Sequence, residues 1–187
     1  KKKRTILITG GCGAIGFAFA KHLVSTERAH LILSGRSALS QKIENQIKEL
    51  EKLGGSAIYI QADSSDLEEM REGVEQAKSQ FGSIDGVIHA AGIESKKIIL
   101  EKTFSEFKEI LRPKIKGTQI LDEVLKEEPL DFICYFSSNS AILGDFGTGD
   151  YAMGNRFEMA YAAYRNKLRE KGERKGRAIV INWPLWK

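Results

Sequence analysis

The sequence holds little of what staples a chain, embeds it in a membrane or draws it to a polyanion. Two cysteines, Cys12 and Cys134, in 187 residues are too few for a disulfide scaffold, so a reducing, cytoplasmic setting is expected. No run approaches the roughly 18 uninterrupted apolar residues of a spanning helix. Lys1-Lys2-Lys3-Arg4 leads into a short apolar run and glycines, with no apolar core of a signal peptide. No membrane association is expected. The excess of one charge sign is small, 29 Lys+Arg against 25 Asp+Glu. It is spread over residues 1–4, Lys96-Lys97 and residues 165–177, without interleaved aromatics to stack bases, which argues against nucleic acid. No metal site is expected. An initial Met is also missing, and the chain stops after Trp183-Pro184-Leu185-Trp186-Lys187, so it reads as a piece of something longer.

What is present is the composition of one globular domain, 42% hydrophobic and 29% charged. Short, almost wholly apolar runs at residues 5–9, 30–34, 57–60, 86–89, 132–136 and 178–181 read as strands buried on both faces, hence a parallel sheet. Helix-length stretches at 14–26, 41–53, 66–80, 103–126 and 148–170 lie between them. Gly54-Gly55 signals the end of the second helix; Asp66 with Glu69, and Thr103 with Glu106, read as capping boxes. Repeated strand–helix–strand units give an α/β, doubly wound sheet whose ligands bind at the carboxyl ends of the strands.

The first strand runs into Thr9-Gly10-Gly11-Cys12-Gly13-Ala14-Ile15-Gly16 and then a helix. Glycines at 11, 13 and 16 supply a tight turn, close backbone approach to a pyrophosphate and close helix–sheet packing, with phosphates held by the helix amino end. A glycine-rich turn without a ligand is the plainer alternative, but the strand-to-helix context favours a dinucleotide. After the second strand, Ser34-Gly35-Arg36-Ser37 has no acid for a ribose 2′-hydroxyl; Arg36 offers a cation to a 2′-phosphate, so NADPH is expected. Arg36 as an ordinary surface arginine is the alternative. Asp63, with Ser64 after it, is placed for an adenine amino group, or else caps a turn. Ala90-Ala91-Gly92 ends the fourth strand with residues small enough for a ribose.

Tyr151 and Asn155, at i and i+4, share one helix face, and the fifth strand ends in Phe136-Ser137-Ser138. A tyrosine phenol, protonated at neutral pH, suits carbonyl reduction if a cation stands near. Lys114 is the candidate: it follows Pro113, which should kink the fourth helix and aim the lysine at the strand ends. By itself it would read as a solvated helix lysine.

Together with Thr9–Gly16, Ser34-Gly35-Arg36, His89-Ala90-Ala91-Gly92, Arg112-Pro113-Lys114, Tyr151-Ala152-x-x-Asn155 and Asn182-Trp183-Pro184, these residues resemble the catalytic half of ketoreductase domains of modular polyketide synthases, of bacterial trans-acyltransferase type, in the short-chain dehydrogenase/reductase superfamily. Ser138 precedes Tyr151 by thirteen residues and Lys114 precedes Ser138 by 24, as in that family. Asn155 stands where free-standing members of the superfamily have lysine. The resemblance implies a Rossmann fold of strand order 3-2-1-4-5-6, with residues 1–187 as the NADP-binding catalytic subdomain, an upstream structural subdomain outside the chain, and the final strand and lid missing. It implies Tyr151 as general acid, Ser138 as hydrogen-bond donor to the ketone, Lys114 as support for the phenolate and Asn155 as part of the proton-resupply network. Cofactor contacts are implied from Gly10, Gly11, Gly13, Ala14, Ile15 and Gly16, from Ser34 to Ser37, and from Asp63, Ser64, Ala90, Ala91 and Gly92, with Pro184 and Leu185 bordering the nicotinamide. His89 matches a family position but reads as structural, and both cysteines as packing residues.

The implied substrate is a β-ketoacyl thioester on the phosphopantetheine arm of an acyl carrier protein, with other synthase domains as partners. Lys96 and Lys97 are candidates for docking an acidic carrier. The B-type fingerprint is absent, since Glu94-Ser95-Lys96 aligns with it, and Leu143 holds the position of the A-type tryptophan; an A-type (L-hydroxy) product is the expectation that remains. A catalytically silent NADP-binding module and a free-standing reductase of small ketones are the rival readings.

Overall fold

The computed structural model describes residues 3–94, 97–144 and 146–185. Six strands, β1 (Thr5–Thr9), β2 (His30–Gly35), β3 (Ser56–Gln61), β4 (Gly86–His89), β5 (Phe132–Ser138) and β6 (Arg177–Trp183), form one parallel sheet in the order β3-β2-β1-β4-β5-β6. The helices are α1 (Ala14–Glu27), α2 (Gln41–Lys52), α3 (Leu67–Phe81), α4 (Phe104–Val124), a single turn α5 (Ser140–Leu143) and α6 (Gly149–Glu170). The alternating pattern predicts the doubly wound parallel sheet, and the strand order is the Rossmann order that the resemblance implies.

Strand side chains alternate between faces, and two cores result. Leu7, Ile32, Ile60 and Ile133 pack against α3, α4 and α6 through Met70, Val74, Leu121 and Ala162. Ile6, Ile8, Leu31 and Leu33 pack on the other face against α1 and α2 through Ala20, Val24 and Leu50. Burial on both faces explains why the strands read as unbroken apolar runs.

Local signals held with four differences. Thr103 and Glu106 form a full capping box at α4. Asp66 caps α3 by accepting from the amides of Glu68 and Glu69, but Glu69 bonds the Asp63 amide at 2.7 Å instead of returning to Asp66, so only half a box forms. The helix α4 runs unbroken through Pro113; no break is needed to bring Lys114 to the sheet. The turn α5 and a 3-10 turn at Ile99–Glu101 carry no periodicity long enough to be seen in sequence. Lastly, β5 and β6 outrun their apolar stretches, pairing Ser137 with Asn182 and Ser138 with Trp183, which fixes Ser138 on the final rung of a ladder.

Candidate active site

Two adjoining cavities open at the carboxyl ends of the strands, sharing Ala90, Gly92 and Ile93 as a common wall. The first, about 200 Å³, is lined by Gly10, Gly13, Ser34, Gly35, Arg36, Asp63, Ser64 and Ala91, among others. Backbone forms most of it. Gly10 leaves β1 at φ +66°, and a Cβ there would stand 2.9 Å from the Ala90 carbonyl oxygen, so only glycine makes this turn. Gly13, the N-cap of α1, has no side chain to satisfy the first amides of the helix, and the first turn carries no acid. An uncapped, acid-free helix start facing a cavity suits an anion.

Arg36 is exposed on the cavity rim, without an acidic partner among the described residues. Beside it the Ser34 hydroxyl is buried and makes no hydrogen bond. Asp63 serves as the turn cap, Oδ1 accepting from the Ser65 amide at 2.8 Å, while Oδ2 on the cavity wall is taken by Arg112 Nη2 at 2.5 Å. Arg112 was not anticipated; only its nearness to Pro113 and Lys114 hinted at it.

Several predicted cofactor residues act from behind the wall. A Cβ on Gly11 would meet the Ile8 carbonyl at 2.8 Å and one on Gly16 the Gly10 carbonyl at 2.5 Å, so both glycines serve close packing. Neither they nor Ala14 nor Ser37 line either cavity. Ser37 instead lends its carbonyl to the Tyr59 hydroxyl at 2.6 Å.

The second cavity, about 680 Å³, is lined by Ile15, Lys114, Ser138, Tyr151, Leu143, Trp183, Pro184 and Leu185, with neighbours. Tyr151 lies in the first turn of α6, its amide donating to Asp150 Oδ1 at 2.9 Å. Ser138 Oγ accepts from the Ser140 amide at 3.2 Å, which orients the hydroxyl at the strand end. Asn155 is fully buried beneath this surface and is not part of the cavity wall. Its Nδ2 donates to the Tyr151 carbonyl at 2.9 Å, its carbonyl accepts from Ser137 Oγ at 3.2 Å, and its Oδ1 is buried without a hydrogen bond.

Lys114 reaches the cavity from α4 with its side chain 6% exposed. Its stem passes between Gly92, where a Cβ would touch Cε at 3.4 Å, and Gly154, where a Cβ would stand 3.1 Å from Lys114 Cβ. Nζ donates to the Phe136 carbonyl at 2.5 Å and to Glu158 Oε2 at 3.1 Å. Glu158 is fully buried, and burial pushes its carboxyl upward against the opposing pull of Lys114. Sequence reading passed over Glu158, although an acid seven residues after Tyr151 and three after Asn155 falls on the same helix face.

His89 is structural, as its place at a strand end suggested. Nε2 donates to the Pro113 carbonyl at 3.0 Å and Nδ1 accepts from Thr9 Oγ1 at 2.6 Å, a tautomer fixed by the carbonyl. Burial, then the Lys114 charge, lowers its pKa to about 3. Burial pushes both Cys12 and Cys134 up to about 11, consistent with packing roles. Lys97 pairs with Glu106, whereas Ser95 and Lys96 lie outside the described residues, as do Lys1, Lys2, Trp186 and Lys187. Among the described residues no helix is long and apolar enough to cross a membrane.

The chain is 56% identical over its full length to polyketide synthase PksM of Bacillus subtilis (strain 168), and 37% identical over 97% of its length to polyketide synthase ThaG of Burkholderia thailandensis. It spans only 4% and 3% of those two proteins. Among solved structures, a ketoreductase domain from the bacillaene assembly line superposes with a TM-score of 0.95 at 41% identity, over 99% of this chain and 45% of that one. An N-terminal ketoreductase from the macrolactin assembly line gives 0.94 at 40% identity, over 100% and 38%. The KR domain family model matches residues 4–187. With the Rossmann sheet and the paired cavities already in place, the chain belongs to the ketoreductase (KR) domain family of polyketide synthases, a family of oxidoreductases.

Proposed function

We infer that the chain reduces a β-ketoacyl thioester, carried on the phosphopantetheine arm of an acyl carrier protein, to the β-hydroxyacyl thioester with NADPH. The observation that carries this reading is the shared wall: a backbone-lined cavity rimmed by Arg36 meets, at Ala90 and Gly92, a larger one presenting Ser138, Tyr151 and Lys114. The first cavity suits the adenosine 2′-phosphate end of such a cofactor, with the nicotinamide end falling to the second cavity beside Pro184 and Leu185. It offers the uncapped amides of α1 to phosphates, the unpartnered Ser34 hydroxyl to a polar group, and Arg36 to the extra charge.

When bound, the cofactor supplies hydride to the ketone carbon. Tyr151 donates its phenolic proton to the ketone oxygen, and the Ser138 hydroxyl donates a hydrogen bond to the same oxygen as negative charge develops there. Lys114, held at the cavity wall, offsets the phenolate that remains. Asn155 acts from beneath: it ties the Tyr151 carbonyl into α6 and keeps Oδ1 free for the proton-resupply network.

This chain spans under half of each of the two assembly-line ketoreductases compared above, and it works as the cofactor-binding, catalytic part of a larger reductase in a cytoplasmic synthase. The L-hydroxy product is assigned on the missing B-type fingerprint, with Leu143 exposed in the larger cavity where it meets substrate. Chiral chromatography of the product decides the hand.

The test of function is NADPH oxidation by the full-length protein with a β-ketoacyl N-acetylcysteamine thioester. Tyr151→Phe removes turnover by about a thousandfold or more while NADPH affinity stays within about twofold. Retained turnover in that variant overturns the assigned acid; NADPH binding without turnover in the wild type moves the reading to a silent module.

A further inference from the structure

The residue that the reaction leaves unexplained is Glu158. It is a carboxylate with no exposure, two helical turns beyond Tyr151 on the same face of α6, and its sequence surroundings give it no surface to reach. A buried carboxyl in an apolar core costs stability unless it is paired. Its one hydrogen bond is to Lys114 Nζ through Oε2; Oε1 has none and lies 3.7 Å from His89 Nε2, whose proton is committed to the Pro113 carbonyl.

An ammonium has three protons and no acceptor. We propose that Glu158 is a positioning residue for Lys114: its carboxylate and the Phe136 carbonyl take two of the ammonium's protons, fixing Nζ at the cavity wall and leaving the third for the reacting end of the site. The inference rests on the role given to Lys114 above. Three features favour positioning over filling. The Lys114 stem is boxed by Gly92 and Gly154, so the head group has little room to relocate. The anchors come from different elements, β5 and α6, and triangulate the nitrogen. Asn155 and Glu158 share the helix that carries Tyr151, so one rigid element sets the acid, its backbone tie and the lysine's counter-charge together. The titratable groups that face Glu158 are Lys114 on α4, His89 on β4 and, at longer range, Cys134 and Tyr135 on β5. His89 stays neutral through the working range because its pKa is near 3, so Lys114 is the cation that Glu158 answers.

The experiment uses the full-length protein and three readouts: turnover of the β-ketoacyl N-acetylcysteamine thioester, NADPH affinity by fluorescence, and trace labelling of lysines with acetic anhydride at pH 9, above the raised Glu158 pKa of about 8 so that the carboxyl is ionised, read by mass spectrometry on the Lys114 peptide. In Glu158→Gln, which keeps shape but not charge, Lys114 labels roughly tenfold faster, because the ammonium has lost its counter-ion. Its kcat falls about tenfold while KM and NADPH affinity stay within about twofold, the split expected when only the transition state suffers. Glu158→Asp keeps the charge on a shorter arm and gives an intermediate loss of about threefold. Thermal melting reports folding of each variant. Unchanged labelling in folded Glu158→Gln overturns the proposal, as does faster labelling with wild-type kcat. Should Glu158→Gln not fold, wild-type labelling and kcat in Glu158→Asp overturn it. If Lys114 labels faster but Tyr151→Phe still turns over, the reading of the site fails and takes the catalytic role with it, while the pairing of the two side chains stands.

Discussion

The two halves of the sheet meet their ligand side in different materials. Around β1–β3 the cavity wall is mostly backbone and small residues, Gly10, Gly13, Gly35 and Ala62, with Arg36 exposed at the rim and the Arg112–Asp63 pair beside it. Around β4–β6 the working groups are side chains held by buried charge: Lys114 on Glu158 beside the cavity, and farther along α6 Arg165 on Asp122, all under 7% exposed. A backbone cradle is broken by adding an atom, and a charge lattice by removing one. The two halves therefore fail by opposite kinds of substitution.

The largest effect belongs to the charge lattice. Asp122 accepts from Arg165 Nε at 2.8 Å, Tyr161 Oη at 3.0 Å and Arg174 Nε at 3.1 Å. Asp122→Ala strands the Arg165 guanidinium, 1% exposed, on the Lys175 and Gly176 carbonyls alone, at a cost of about 3–5 kcal/mol in chemical denaturation. A loss under about 1 kcal/mol shows that water reaches the guanidinium and that this half is no charge lattice. The cradle comes next. Gly16→Ala sets a methyl 2.5 Å from the Gly10 carbonyl oxygen, where only backbone can move, and costs about 1–3 kcal/mol. Because the displaced carbonyl belongs to the turn proposed to hold the phosphates, NADPH affinity is expected to drop with it; stability lost with affinity intact would separate the turn from the cofactor.

The same difference decides what the sequence made legible. Six strands, five long helices and the glycine loop are local: each shows in consecutive residues, by period or by a contiguous motif such as Thr9–Gly16. Arg36 and the small residues at 90–92 are local too, since they sit directly after a strand. Lys114 and Glu158 are 44 residues apart, as are no two members of any short motif, and their pairing exists only once α4 and α6 lie side by side. Lys114 was reached through resemblance and not through its surroundings, whereas Glu158 had no resemblance to point to it. Its burial did leave a trace, an acid on the face shared by Tyr151 and Asn155. The half-formed box at Asp66 failed for a similar reason: the Asp63 amide, brought near by the turn, takes Glu69 first.

The smallest predicted effect is also the one that separates the halves most cleanly. Among the described residues Arg36 has no buried partner, so Arg36→Ala leaves the melting temperature where it was, unlike any substitution in the charge lattice. On the proposed reading it removes an exposed charge-assisted contact to a 2′-phosphate, and exposed contacts of this kind are screened. NADPH affinity accordingly falls about tenfold, equivalent to about 1.4 kcal/mol, and less at high salt. NADH, which lacks the phosphate, binds the variant and the wild type alike to within about twofold. If both cofactors weaken equally, Arg36 supports the shape of the cradle instead of reading the phosphate. The proposed preference for NADPH would then have to come from Arg112, the second guanidinium on that wall, which must first release Asp63.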